Sequence, residues 1–358
     1  MLNEQLTIII PTHERHSLLL RAVDYYTNLN VHVIIVDSSV NKLKRILTSK
    51  FQYIHMPCED FGSKIYNVIS QVTTKYSCLS ADDDFLSESG LIKGIDFLEE
   101  NDDYVSVQGR YISFYLKNYK ITSGPMYTKA PYYLVDGKSR LERVKQAFSP
   151  YMHHMYSVHR TEVLIKSFLA VSTIKVASPV ELSVALVGAV YGKHMLLPEF
   201  WMARDTNVYT STINEEGQIE KINSYNFENN PVTLIVKNWA GYLQTADGKL
   251  FKKKYCSVIS DIVKDKAEQN ALFDTGFLTY IAGTSNLKNI DPITKFNLKN
   301  NIKILLPNYF LNVYRLIRYT YFRYKYPLGY PWSDIYSAKD WERMKSVILK
   351  YNDKIGPY

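Results

Sequence analysis

The sequence predicts an α/β fold of the Rossmann-like type, in which a mostly parallel sheet is flanked by helices. Two observations predict it: continuous runs of β-branched apolar residues, which suit strands buried on both faces, and apolar residues at helical spacing between these runs. Alternating strands and helices require right-handed crossovers, which favour a parallel sheet. Towards the C-terminus the periodicity becomes helical, so we expect a second, mainly α-helical part.

The first 110 residues supply the elements of the sheet. The predicted strands cover residues 6–10, 31–36, 53–56 and 76–80. The predicted helices are one with Leu19, Ala22, Val23 and Tyr26 on one face, a short one near residues 43–47, and one with Ile65, Val68, Ile69 and Val72 on one face. The fourth strand leads directly into three consecutive aspartates.

Length and composition set the broad class of protein. The 358 residues, of which 46% are hydrophobic and 22% charged, suit a globular chain with one domain over residues 1–215 and a helical region over residues 216–358. Three scattered cysteines argue against a disulfide framework or a zinc cluster. No long apolar run occurs and a strand pattern begins within the first residues, so we expect neither a membrane span nor a signal peptide, and a cytoplasmic location.

The basic balance indicates an anionic partner. The net charge of +8 fits a nucleotide, an anionic membrane surface or a nucleic acid. Residues 307–332 interleave tyrosines with arginines and a lysine, and residues 252–254 are three lysines. Such a stretch suits an anionic membrane surface, although packing on the first domain or a dimer contact explains it equally well. No recognised nucleic-acid motif is present, so nucleic acid is disfavoured as a partner.

The three aspartates Asp82, Asp83 and Asp84 are the most informative feature of the chain. Adjacent carboxylates repel one another, so a bound cation or solvent must neutralise them. They therefore predict a site for Mg²⁺ or Mn²⁺ that holds the phosphates of a nucleotide, or else a solvated acidic turn or helix N-cap.

The position of the aspartates favours the metal and nucleotide interpretation. Ligands of parallel α/β sheets bind beyond the carboxyl ends of the strands. Polar groups follow three predicted strands there: residues 12–15, Asp37 and the aspartates. Neither a GxGxxG after the first strand nor a GxxxxGK[ST] is present, which disfavours a dinucleotide fold and a P-loop enzyme.

Three segments in order, TIIIPTHERHSLLLRAVDYY, VIIVDSS and KIYNVISQVTTKYSCLSADDDF, resemble the nucleotide-sugar-dependent glycosyltransferases of the GT-A fold. Within them the chain is similar to family 2, and to a bacterial subgroup with an ADDDF motif followed by a V-x-G-R-Y-x-S-F stretch. The resemblance covers roughly residues 5–210. It implies a nucleotide-sugar donor, a glycan or lipid-linked acceptor, and a role in surface polysaccharide biosynthesis at the inner face of the membrane.

The resemblance also implies roles for individual residues around the nucleotide. Thr12 and Glu14 match the segment that lines the nucleoside pocket. Asp37 matches the carboxylate that accepts a hydrogen bond from the nucleobase or ribose, although a helix N-cap is the alternative. Lys64 matches a basic residue that faces the nucleotide; on a solvated helix it would have no such role.

For the metal, the resemblance implies two carboxylates of the triplet. The usual family pattern has an acidic residue where Ala81 stands here, so the register stays open between Asp83 with Asp84 and Asp82 with Asp84. His159 is a further candidate ligand for the metal or the pyrophosphate, because some similar enzymes supply a late histidine.

Inverting transfer also needs a base on the acceptor side. Glu181 matches the acidic base at a helix start, whereas an ordinary helix-dipole role is the alternative. His153 and His154 are expected to line the acceptor pocket or to pack in the interior. Arg204 and Asp205 are expected either to place a cation near the diphosphate or to form a surface ion pair.

Two other classes of protein remain open. A nucleotidyltransferase also combines such a sheet with paired aspartates, but it would usually show a glycine-rich, basic loop after the first strand, and residues 11–16 are not one. A non-catalytic module that binds glycans or membranes and keeps a degenerate nucleotide pocket is also compatible with Ala81 in the triplet.

Overall fold

The protein structure is a computed structural model that describes residues 2–44, 48–117, 119–126, 133–175, 177–206, 209–213, 219–223, 239–287 and 339–352. The strands are β1 (Leu6–Thr12), β2 (His32–Asp37), β3 (Phe51–His55), β4 (Tyr76–Leu79), β5 (Phe85–Leu86), β6 (Tyr104–Lys117), β7 (Lys120–Pro125), β8 (Val158–Arg160), β9 (Lys193–Asp205), β10 (Tyr209–Ile213) and β11 (Ile219–Asn223). The helices are α1 (Leu2–Gln5), α2 (His16–Tyr26), α3 (Phe61–Ile69), α4 (Glu88–Glu100), α5 (Arg140–Ala147), α6 (Thr161–Leu169), α7 (Ala177–Tyr191), α8 (Trp239–Tyr242), α9 (Ala246–Ile259), α10 (Lys266–Leu287) and α11 (Lys339–Lys350).

The described strands form one large sheet and a separate two-stranded sheet of β10 and β11. The large sheet has the order β3-β2-β1-β4-β8-β6-β9-β5, and β7 pairs with β6 at its side. β3, β2, β1 and β4 run parallel, as do β6 and β9, whereas β8 is antiparallel to both β4 and β6. The predicted α/β fold with a mostly parallel N-terminal sheet is confirmed.

The four predicted strands correspond to β1 to β4, and two of the predicted helices correspond to α2 and α3. The short helix predicted near residues 43–47 is wrong for its described part. Residues 42–44 have no regular secondary structure, and residues 45–47 lie outside the described residues. Leu43 instead donates its backbone N–H to the Tyr53 hydroxyl at 2.9 Å, so this segment is held against β3.

The sheet separates two apolar clusters, and β1 contributes to both. Ile9 belongs to the cluster with α3, α6 and α7, whereas Ile8 and Ile10 belong to the cluster with α2 and α4. Successive side chains of a strand point to opposite faces, so a run of isoleucines fills both clusters at once. This double burial explains why the sequence of β1 is apolar without alternation.

The helices after residue 238 do not have a core of their own. Phe251 of α9 and Phe273 and Phe277 of α10 are buried in the same cluster as Val144 of α5 and Leu186 of α7. The predicted helical C-terminal part is therefore present in its described residues and shares the core of the N-terminal part. The predicted boundary at residues 215 and 216 lies outside the described residues.

Helix α11 packs on the opposite side, against the cluster of α2 and α4. Trp341 is buried there beside Phe114, with ring centroids 6.2 Å apart. Asp340 accepts hydrogen bonds from the Ser89 backbone N–H at 2.9 Å and from the Ser87 hydroxyl at 2.6 Å, at the start of α4. Among the described helices none has the length and apolar character needed to cross a membrane.

Replacing Asp340 by alanine is expected to lower the free energy of unfolding by about 1–2 kcal/mol, the upper range for a lost helix cap. Burial by itself would raise the pKa of Asp340, but the hydrogen bonds from Ser87 and Ser89 hold it below its usual value. This stabilisation is therefore present at neutral pH and is lost as the pH falls through the lowered pKa. Urea denaturation of the variant measures it.

A matched control is Glu342→Ala, which removes a carboxylate of the same helix whose ion pair among the described residues is with the nearby Lys345. An exposed pair of this kind contributes less than about 1 kcal/mol. Equal losses for Asp340→Ala and Glu342→Ala would contradict the capping role.

Candidate active site

The ends of β1, β2 and β4 meet at one edge of the sheet. β1 lies between β2 and β4 and is parallel to both. Thr12 at the end of β1 is the register partner of Asp37 at the end of β2. The Thr12 hydroxyl donates a 2.6 Å hydrogen bond to Asp82, which follows β4. The fold thus brings together the polar groups that the sequence predicts at this edge.

Asp37 is fully buried, and three groups donate hydrogen bonds to its carboxylate. It accepts hydrogen bonds from the Ser39 backbone N–H at 2.8 Å, the Tyr53 hydroxyl at 2.6 Å and His16 Nε2 at 2.8 Å. Burial by itself would raise the pKa of Asp37, but these hydrogen bonds hold it below its usual value. The alternative of a helix N-cap is wrong, because residues 38–44 form no helix.

Glu14 joins the loops that follow β1 and β2. Its carboxylate accepts the Val40 backbone N–H at 2.6 Å, and its own backbone N–H donates to the Ser39 hydroxyl at 2.7 Å. Glu14 adopts a φ of 54°, in the left-handed region, where a non-glycine residue needs such local support. The two loops therefore form one connected wall beside Asp37.

Lys64 on α3 is buried, so the alternative of a solvated helix face is wrong. Its ammonium donates to the Thr12 carbonyl at 2.9 Å and to the Ser38 hydroxyl at 2.8 Å. Burial lowers the pKa of Lys64 to about 8, although Asp82 and Asp37 favour its charged form. Lys64 therefore connects the ends of β1 and β2 and places a positive charge next to the buried carboxylates.

The carboxylates of Asp82 and Asp83 share one cation, Arg15. The guanidinium Nη2 lies 2.9 Å from Asp83 Oδ2 and also contacts Asp82 Oδ1, and Nε donates to Asp82 Oδ2 at 3.3 Å. Arg15 stands directly before α2 and belongs to the same polar segment as Thr12. The repulsion expected between adjacent aspartates is thus offset by a basic side chain from the β1 loop.

Asp84 instead contacts β9. It accepts the Asp205 backbone N–H at 3.0 Å, and Arg204 Nε lies 3.3 Å from its Oδ2. Burial, with repulsion from Asp83, raises the pKa of Asp84 well above its usual value, and Arg204 acts in the opposite direction. The alternative of a surface ion pair between Arg204 and Asp205 is wrong, because each contacts a different group of the site.

Arg21 is a buried cation that contacts both the aspartate triplet and Asp205. Its side chain is 2% exposed, and it donates to the Asp205 carboxylate and to the Asp83 carbonyl, both at 2.8 Å. The guanidinium carbon lies 5.2 Å from the ring centre of Phe85 and 5.8 Å from that of Phe114. Arg21 therefore fixes the backbone of the aspartate triplet to the end of β9.

Glu181 lies in α7, five residues into the helix and not in its first turn. Its Oε1 accepts the Tyr151 hydroxyl at 2.8 Å and contacts His153 Nδ1. The Glu181 side chain is 25% exposed and that of His153 is 32% exposed, so the pair is accessible. Burial by itself would raise the pKa of Glu181, but His153, Tyr151 and Arg204 lower it, so the carboxylate is ionised at neutral pH.

The positive charge of Arg204 favours the ionised forms of both Glu181 and Asp84 and so lowers the pKa of each. Arg204 also lies over Tyr156, with 5.4 Å between its guanidinium carbon and the ring centre.

The structure does not support the expectation that His159 is a metal ligand. His159 is buried in β8 opposite Ser77, five residues before Asp82, and its Nε2 donates to the His154 carbonyl at 2.8 Å. Burial lowers the pKa of His154 to about 3 and that of His159 to about 4, so both rings are neutral. His154 stacks on His194 with 4.0 Å between ring centres, which is the interior packing predicted as one alternative.

Sequence reasoning missed the roles of Arg21, Tyr151 and His16. Arg21 carried a usable signal, because it is a cation within the apolar face of a helix. Tyr151 and His16 carried none, because their contacts depend on how distant segments pack.

The mixed α/β sheet flanked by helices is GT-A-like, and its edge lined by Asp37 and the aspartate triplet is the place where sheets of this kind bind ligands. Residues 7–168 match the family model described as "Glycosyl transferase family 2".

Solved structures of S. aureus TarS are similar to this chain. The TarS 1–349 structure matches with 9% identity and a TM-score of 0.44, over 80% of this chain and 91% of that one. TarS 1–349 in complex with UDP matches with 10% identity and a TM-score of 0.44 over the same shares. A longer TarS structure matches with 10% identity and a TM-score of 0.42, over 77% of this chain and 54% of that one. No curated protein sequence matches.

Proposed function

We propose that this glycosyltransferase is metal-dependent and inverting, and that it moves a sugar from a nucleotide-sugar donor to a hydroxyl of a glycan or lipid-linked acceptor. The observation that carries the proposal is the grouping of Asp37 and the aspartate triplet at one sheet edge, and the ionised, partly exposed Glu181 is the candidate base. The sheet edge would hold the nucleotide and the cation, and Glu181 would act as the base.

The donor set of the triplet fits Mg²⁺ or Mn²⁺. Carboxylate oxygens are the ligands that these hard cations prefer, and such ions commonly bind one or two carboxylates together with phosphate oxygens of a substrate. The described residues contain no group of three or more acidic, histidine or cysteine side chains arranged for a metal. Two carboxylates of the triplet, Asp83 with Asp84 or Asp82 with Asp84, would hold the ion jointly with the donor. When bound, the ion neutralises charge on the leaving diphosphate.

On the nucleoside side, Thr12, Glu14 and Lys64 form the pocket wall around Asp37. His16 covers the Asp37 carboxylate and is 28% exposed, so it is the accessible group of this pair. A nucleobase or ribose donor would approach Asp37 from the side of His16, in place of its hydrogen bond. This arrangement supports Asp37 as the residue that recognises the nucleoside.

On the acceptor side, Glu181 takes the proton of the attacking hydroxyl. The hydroxyl oxygen forms the new bond to the anomeric carbon while the bond from that carbon to the diphosphate oxygen breaks on the opposite face, which inverts the anomeric configuration. The hydrogen bond from Tyr151 and the contact with His153 hold the carboxylate of Glu181 in place for this transfer. Arg204 and Arg15 supply positive charge close to the aspartates.

The acceptor class and a place at the inner membrane face in surface polysaccharide biosynthesis rest on the sequence resemblance. The basic and aromatic residues 307–332 lie outside the described residues. Within the lysine run, Lys252 pairs with Asp274 and Lys254 donates to Ser172. These two lysines are therefore engaged within the chain, so an anionic membrane contact would depend chiefly on residues 307–332.

Incubation of the purified chain with a panel of nucleotide sugars tests the proposal. With Mn²⁺ we expect one donor to release nucleoside diphosphate, and EDTA to lower the rate by more than about a hundredfold, since metal ions contribute several kcal/mol of charge stabilisation. Asp83→Asn should reproduce the effect of EDTA. The control Asp96→Asn, an exposed site on α4, should not.

Two results would contradict the proposal. Nucleotide binding without release from any donor would favour a non-catalytic module. Release that persists at full rate in EDTA would remove the metal from the proposed mechanism.

A further inference from the structure

Arg15 occupies the place between two carboxylates where a divalent cation would bind. Its guanidinium bridges Asp82 and Asp83, at 2.9 Å from Asp83 Oδ2 and 3.3 Å from Asp82 Oδ2 with a further contact to Asp82 Oδ1. The Thr12 hydroxyl also donates to Asp82 Oδ2. Both oxygens of Asp82 and one of Asp83 are therefore engaged by donors from the β1 loop.

A guanidinium and a divalent cation compete for these oxygens. Arg15 has only donors, so it fills the lone pairs that a metal would use. Two positive charges at the same carboxylates also repel each other in a partly buried site. An ion that binds Asp82 and Asp83 is therefore expected to weaken or replace the contacts of Arg15 with them.

Arg15 is placed to move, in contrast to Arg21. The Arg15 side chain is 18% exposed and extends from a loop, whereas Arg21 is 2% exposed and lies beneath two aromatic rings. Arg21 also holds a backbone carbonyl of the triplet, so its displacement would disturb the loop itself. Arg15 contacts the triplet through side-chain oxygens, which can change partner without a change in the backbone.

We propose that Arg15 is a resident cation that neutralises Asp82 and Asp83 in the empty enzyme and yields this place to the divalent ion that arrives with the donor. Its guanidinium then turns to the donor diphosphate, for which its planar donor fork is well suited. The proposal rests on the metal-dependent function proposed above. It assigns Arg15 two successive anionic partners and makes it a competitor of the metal and a ligand of the nucleotide.

Calorimetric titration of Arg15→Gln tests this exchange without any turnover. With Mn²⁺ alone, we expect the variant to bind the ion about tenfold more tightly than the parent chain, within the usual range for coupled binding. UDP and GDP are then titrated separately with Mn²⁺ present. We expect the nucleotide that binds the parent chain to bind the variant about tenfold more weakly. The control Arg343→Gln removes an arginine that pairs with Glu88 on α4 and should change neither affinity.

Arg15→Lys supplies a second test if the glutamine variant folds poorly. A lysine keeps the charge but cannot bridge two carboxylates through a planar fork, so its affinity for Mn²⁺ should lie between those of the parent and Arg15→Gln. Unchanged or weaker Mn²⁺ binding by both variants would overturn the exchange and leave Arg15 a structural residue. No Mn²⁺ binding by the parent chain, with or without nucleotide, would instead overturn the metal-dependent function itself.

Discussion

Replacement of Glu181 by glutamine is expected to lower kcat by about 10²–10⁴-fold, the usual contribution of a general base. Glutamine has nearly the same shape as glutamate and keeps an oxygen for the Tyr151 hydroxyl, which donates at 2.8 Å. It has no negative charge, so it cannot take the proton of an acceptor hydroxyl. The affinity for nucleoside diphosphate should remain nearly unchanged, because Glu181 contacts Tyr151 and His153 and not the aspartate triplet.

The pH dependence of the parent enzyme provides a second readout. His153 and Tyr151 lower the pKa of Glu181 below the usual value despite its burial. The base is therefore ionised throughout the neutral range, and its contribution to the rate is lost only as the pH falls through this lowered pKa. We expect the rate to decline only at pH values below the usual pKa of a glutamate side chain. This acidic decline should be absent from the pH profile of Glu181→Gln.

A matched control for this variant is Glu199→Gln. Glu199 lies on β9 and pairs with Lys93, a partly exposed ion pair away from Tyr151 and His153. Turnover of Glu199→Gln should equal that of the parent. Equal turnover of Glu181→Gln and the parent would remove Glu181 as the base and would leave it as a helix residue that orders Tyr151 and His153.

Replacement of Arg21 by methionine is expected to lower the free energy of unfolding by about 3–5 kcal/mol, the range for a buried ion pair that loses one partner. Methionine fills much of the arginine volume, so the loss reports mainly on charge and hydrogen bonding. The variant leaves the Asp205 carboxylate buried without the cation that lies 2.8 Å away. It also leaves the Asp83 carbonyl without the Arg21 donor, so activity should fall together with stability.

Denaturation in urea measures this loss, and two further variants make the result specific. Arg343→Met removes the partly exposed ion pair with Glu88, and its free energy of unfolding should fall by less than about 1 kcal/mol. In the double variant Arg21→Met with Asp205→Asn, the buried charge is removed together with its partner, so part of the lost stability should return. A loss for Arg21→Met as small as that for Arg343→Met would contradict the supporting role of Arg21.

Much of the fold could be predicted from local patterns. The apolar runs of β1 and β2 are continuous because these strands are buried on both faces, and this pattern is visible without a structure. The short helix near residue 43 was predicted wrongly, because the segment is held by the Tyr53 hydroxyl and no local pattern reveals that contact. The helical periodicity after residue 238 was visible, whereas the shared core of these helices with α5 and α7 was not.

In the candidate site, too, some residues could be predicted from local patterns and others could not. Thr12, Asp37 and the aspartate triplet were predicted to converge because each follows a strand, and strand ends in a parallel sheet lie at one edge. Lys64 also lies beside them. His159 was expected at the metal from the family resemblance, but it lies within β8 and bonds to the His154 carbonyl. A residue type gives the chemistry that a side chain can perform, and its position in the sheet determines whether it reaches the site.

By itself, the sequence determined the α/β class, the succession of β1 to β4 along the chain and the acidic edge of the sheet, because each follows from the periodicity of a short segment or from the residues at the end of a strand. Only the tertiary structure decided which charges are paired. Arg15 with Asp82 and Asp83, Arg21 with Asp205, and Glu181 with His153 each join segments that are distant along the chain. The physical reason is that burial makes a charge depend on its nearest partner in space, which no local pattern in the sequence specifies.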